Sequence, residues 1–115
     1  MTPDDAIRRI EELLSHVWMV RTFLKHSEEA AEDDDLMDVV RELYDYSLAT
    51  GAALKADDAA EYLKQAKKKL AKLRGAADRF AGLQPQISTH TNFAMAARSL
   101  TIAVREIGAI FDEPR

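Results

Sequence analysis

The chain has 115 residues, of which 47% are hydrophobic and 31% charged, with a formal net charge of −4 and no cysteine. That length supports one core and not two, so a single domain over 1–115 is expected. The missing thiol excludes disulfides, thiolate nucleophiles and zinc–cysteine sites, and the mild negative charge weighs against nucleic acid as the main partner.

The opening residues MTPDDAIRRI are acidic and then basic, without the apolar centre of a secretory signal. No stretch approaches the roughly 18 consecutive apolar residues that a membrane span needs. A soluble, cytoplasmic protein without membrane contact is the expectation. Glycine and proline, the costliest residues inside a helix, number only four and three, which favours helix throughout.

The first predicted helix covers about 3–31. Thr2 suits the cap, Pro3 the first helical position, and Asp4 and Asp5 the positive end of the helix dipole. Ile7, Ile10, Leu14, Val17 and Leu24 follow three- and four-residue spacing, with Leu13 and Val20 widening the stripe. The pattern fades in EEAAEDDD, Glu28 to Asp35, where six of eight residues are acidic. A run of that charge stays in solvent, and Asp34 or Asp35 can cap the next helix.

The second predicted helix, about 35–54, places Leu36, Val39, Val40, Leu43, Ser47 and Leu54 on one face, with Gly51 as a loosening point. The third, about 58–82, starts at Asp57 or Asp58, and Asp58 with Glu61 resembles a capping box. Ala59, Leu63, Ala66, Leu70, Leu73, Ala77 and Phe80 then alternate in steps of four and three, the strictest pattern in the chain. Gly82 is expected to terminate it, and Pro85 to confirm the break. The fourth, about 89–112, carries Phe93, Ala97, Leu100, Val104, Ile107 and Phe111 on one stripe before a stop at Glu113-Pro114.

Four amphipathic helices, short connections and no strand-like alternation predict an all-α, up-down-up-down antiparallel four-helix bundle. Its core should contain Leu14, Val17, Leu43, Leu70, Leu73, Leu100, Val104 and Ile107.

The stretch Ile87 to Phe93, ISTHTNF, sets five polar side chains between two apolar ones. Ser88, Thr89 or Thr91 can cap the last helix, and Asn92 can cap a shifted start, so a helix N-terminus accounts for the cluster without a ligand. The alternative is chemical. In an up-down bundle His26, Glu28, Glu29, Asp33 and His90 gather at one pole, and His26, Glu29 and His90 are the candidate ligands of a divalent metal there. The interior offers less. Di-iron bundles place Glu-x-x-His motifs on two helices, and none occurs here; Glu12 and His16 form a lone pair four residues apart. Nucleophile–histidine–carboxylate orders, phosphate loops and zinc-protease motifs are also missing. Neither catalysis nor a cofactor is expected.

Arg21 falls inside the apolar arc of the first helix. Its stem suits the core edge with the guanidinium reaching out or pairing with a carboxylate; the functional alternative is a cation that binds an anionic ligand between helices. Seven basic residues from Lys64 to Arg79 face a stretch from Glu28 to Asp45 with nine carboxylates and one arginine. Paired in an antiparallel hairpin, with Asp38 near Arg74 and Asp45 near Lys67, these blocks fix register more than stability. RNA binding through the basic helix is a minor alternative.

Finally, five apolar residues break the amphipathic rule. Projection at about 100° per residue puts Met95, Ile102 and Ala109 opposite the core stripe of the last helix, and Met19 and Phe23 outside the arc of the first. Antiparallel neighbours would bring Phe23 level with Met95 and Met19 level with Ile102. One converged patch of this kind predicts a non-catalytic interaction module, a two-fold homodimer through the first and last helices or a complex with another protein.

Overall fold

A computed structural model describes residues 1–112. All regular structure among them is helical: α1 (Pro3–Lys25), α2 (Glu28–Ala31), α3 (Asp34–Lys55), α4 (Ala59–Lys68), α5 (Leu70–Ile87) and α6 (Thr91–Asp112). The stop expected at Glu113-Pro114 lies outside the described residues.

Local chemistry sets most of the boundaries. The Thr2 hydroxyl accepts the Asp5 amide at 3.1 Å and opens α1 with Pro3 in its first turn. That same hydroxyl is the main cause holding the exposed Asp5 carboxyl below its ordinary range. The expected first helix is cut short because Ser27 starts a new one: its hydroxyl accepts the Ala30 amide and donates to the Leu24 carbonyl. Asp33 caps α3 through the Leu36 amide, and Asp58 caps α4 through the Glu61 amide. Between α3 and α4, Asp57 adopts a left-handed backbone with φ of 54°, a conformation that aspartate tolerates better than most residues.

Two expectations about the third predicted helix fail. It does not run unbroken: Lys69 separates α4 from α5. The Ala66 carbonyl, which would accept from the Leu70 amide in a continuous helix, instead accepts from the buried Tyr46 hydroxyl at 2.8 Å. A side chain inserted into the hydrogen-bond ladder is a known cause of helix breaks. Nor does Gly82 end the helix. α5 continues through Pro85 to Ile87. Both Pro85 and Ala81, one turn earlier, are exposed, so the ring removes a hydrogen bond only where solvent reaches the freed carbonyl. Gln84 closes the end, its backbone carbonyl taking the Ser88 amide and its side chain donating to the Ser88 carbonyl.

α1 and α6 run antiparallel, as do α3 and the α4–α5 segment. On α1 and α6, Arg9 meets Glu106 at 2.5 Å and Phe23 meets Phe93 edge-on at 5.0 Å. Between α1 and α3, Trp18 meets Tyr44. Glu42 of α3 pairs with Arg79 of α5, and Arg74 of α5 reaches Asp112 of α6 at 3.8 Å. α4 touches α1 through a hydrogen bond from Tyr62 to the Glu11 carboxylate. The guanidinium of Arg74 lies directly against Gly108, so a side chain there would have to push it aside.

All eight expected core residues are buried in one apolar cluster. The stripe of α3 drifts from expectation after Leu43: Tyr46, Thr50 and Ala53 face inward, while Ser47 is half-buried and Leu54 exposed. In α4, Tyr62 is fully buried and Leu63 only partly so. No described helix is long and apolar enough to cross a membrane.

Candidate functional site

The polar stretch before α6 is a helix start. His90 takes the capping role expected of a serine or threonine: its carbonyl accepts the first helical amides, and its Nδ1 accepts the Asn92 amide at 3.0 Å. Its own amide donates to the Ser88 hydroxyl at 3.2 Å. Both ends of the local network are therefore in use for structure. His26 caps the C-terminus of α1, and Glu29 lies in the single turn of α2. Among the described residues, no three histidine, aspartate or glutamate side chains come together as a metal site, so His26, Glu29 and His90 do not form the expected ligand set.

The two charge blocks do face each other, in a different register. Asp38, Glu42 and Asp45 of α3 and Lys69 and Lys72 at the α4–α5 break share a groove of about 450 Å³. Asp38 pairs with its neighbour Arg41 at 3.2 Å rather than with Arg74. Exposed pairs of this kind contribute about 0–1 kcal/mol each. Mixed charge of both signs is poor footing for a phosphate backbone, which favours cations alone.

A hydrogen-bonded interior was not foreseen. Tyr46, Thr50 and Tyr62 are all buried. Burial raises the Tyr46 phenol far above its ordinary range, and burial followed by the adjacent Glu11 carboxylate does the same to Tyr62. Both hydroxyls therefore stay protonated and act as donors. The only advance signal was two tyrosines near the apolar faces of their helices, where a polar handle needs a buried partner.

Arg21 sits between α1 and α3, with its guanidinium carbon 4.4 Å from the Trp18 ring centre and 5.0 Å from that of Tyr44. Its Nε is buried without a hydrogen-bond partner among the described residues. Cation–aromatic attraction replaces the carboxylate pairing expected as one possibility.

The five apolar exceptions divide. Met19, Met95, Ile102 and Ala109 are exposed, whereas Phe23 is half-buried against Phe93. The Arg9–Glu106 and Phe23–Phe93 contacts place Met19 level with Ala96 and Ala97, more than a helical turn from Ile102. Met95, Ile102 and Ala109 instead form their own stripe, one residue every seventh position along the outer face of α6. Compared with protein families, curated proteins and solved structures, the chain shows no match.

Proposed function

We propose that this chain is a non-catalytic assembly module: α1, α3, the α4–α5 pair and α6 act as the four rods of a bundle, and two copies join through the outer faces of α6 and α1. One observation carries the reading. Met95 is 50% exposed and Ile102 40% exposed on the same face as the exposed Ala109, a seven-residue repeat suited to packing against an identical helix. Met19, 66% exposed on α1, extends the apolar surface. Arg98 and Arg105 flank the stripe and are exposed, as the polar rim of an interface requires.

The module works without metal or cofactor and in a reducing compartment, a reading supported by the cysteine-free sequence and by His90 serving as a cap. Light scattering of the full chain tests the assembly. The wild type should have the mass of a dimer, and Met95→Glu with Ile102→Glu should give a folded monomer. A wild type that stays monomeric at high concentration ends the homodimer reading; stoichiometric iron, zinc or manganese in the purified protein ends the cofactor-free one.

A further inference from the structure

We infer that the groove between α1 and α3 binds a small organic phosphate, with Arg21 and Arg41 holding the phosphate and Met37, Val40 and Tyr44 holding an apolar substituent. The groove has a volume of about 350 Å³, and its charged lining is wholly cationic: Arg21, Lys25 and Arg41. That size falls within the range of small-ligand pockets, which combine apolar walls with a few convergent polar groups. The grooves beside Lys69 and beside Arg74 mix carboxylates with their cations; the one beside Arg98 and Arg105 is also cationic but has no aromatic wall to hold a guanidinium in place.

Arg21 is held ready. Packing against Trp18 and Tyr44 restricts the guanidinium, while its Nε is buried and unsatisfied among the described residues. No salt bridge joins Arg21 to a described carboxylate, in contrast to Arg9, which pairs with Glu12 and Glu106. A positioned, unpaired guanidinium matches the oxygen geometry of phosphate, and burial of its edge makes each such bond stronger than in open water. Arg41 is the adjustable arm. Its pair with Asp38 is between exposed side chains, so a phosphate can compete for it at little cost. Three cations in one groove favour a dianion over a carboxylate, which carries one charge.

Trp18 is the only tryptophan of the chain and lies against Arg21, so its fluorescence reports the site directly. The full chain is titrated with hexyl phosphate at low ionic strength, followed by Trp18 emission and by calorimetry. Saturable binding with a dissociation constant of about a millimolar or tighter is expected, weakened about tenfold by Arg41→Gln and by Arg21→Met. Arg41 is exposed, so its replacement leaves the fold intact and keeps the test meaningful even if Arg21→Met disturbs packing. Hexanoate should bind more weakly because of its single charge, and inorganic phosphate more weakly because it lacks the apolar arm. No saturable response in either measurement, binding unchanged by Arg41→Gln, or hexanoate or inorganic phosphate binding as tightly as hexyl phosphate would each overturn the assignment.

Discussion

The two ends of the helix stack are built by different chemistry. Where α1 ends and α6 begins, Phe23, Leu24, Phe80 and Phe93 pack without polar partners, and Phe23 and Phe93 meet edge to face. Where α1 begins and α3 ends, Tyr46, Thr50 and Tyr62 occupy the interior, and hydroxyls reach the Ala66 carbonyl and the Glu11 carboxylate. The apolar end depends on filling volume, which tolerates small shifts in phase. The polar end depends on pairing particular atoms, and one pairing, Tyr46 with the Ala66 carbonyl, takes a backbone acceptor that a continuous helix would use itself. The break at Lys69 is the result.

Substitutions should separate the two kinds of construction. The largest loss is expected from Leu100→Ala, since Leu100 is fully buried: about 2–5 kcal/mol of unfolding free energy, measured by urea denaturation. A loss below about half a kcal/mol would remove Leu100 from the core.

At the polar end, Tyr62→Phe leaves the half-buried Glu11 carboxylate without its donor and should cost about 1–3 kcal/mol. Tyr46→Phe should cost less, about 1 kcal/mol, because the Leu70 amide stands one turn on and can take over the Ala66 carbonyl. Hydrogen exchange at the Leu70 amide should then slow. An unchanged exchange rate would break the link between Tyr46 and the Lys69 interruption.

The same tyrosines set an alkaline limit. Both phenols are raised in the folded chain, so folding holds the proton more tightly than the unfolded state does. Stability is thus intact below the ordinary tyrosine value of about 10 and falls as pH rises above it. Denaturation midpoints across that window should drop for the wild type and flatten in the Tyr46→Phe, Tyr62→Phe double variant; equal slopes would place the titration elsewhere.

The smallest effects come from glycines within helices. A side-chain carbon added at Gly75 or Gly82 meets nothing within 4 Å, so either change to alanine should stabilise α5 by about 0.5–1 kcal/mol. Gly108 is the contrasting position, because alanine there must displace the Arg74 guanidinium. Thermal midpoints that rise for Gly75→Ala and Gly82→Ala but not for Gly108→Ala would confirm the contrast.

Helix content and the apolar core were legible from sequence. Three- and four-residue spacing in α1 and α6 named Leu14, Val17, Leu100, Val104 and Ile107 as buried, and Thr2 and Asp58 marked real starts, while the α3 cap is Asp33, one residue before the expected Asp34 or Asp35. These are local properties: a cap satisfies amides within its own turn, and a periodic stripe reports which face leaves water. The candidate site was legible only in outline. Arg21 stood out because a cation interrupted an apolar arc, and Trp18 precedes it by three residues on the same helix, but Tyr44 comes from α3 and no spacing along the chain joins it to either. The same reason hid Tyr46 from Ala66, the pairing of Glu42 with Arg79, and the register that separates Met19 from Ile102. Hydrogen bonds and ring contacts form between atoms a few ångströms apart in space but far apart in sequence. Helix periodicity fixes which face turns inward; only docking of the helices decides which residues on those faces meet.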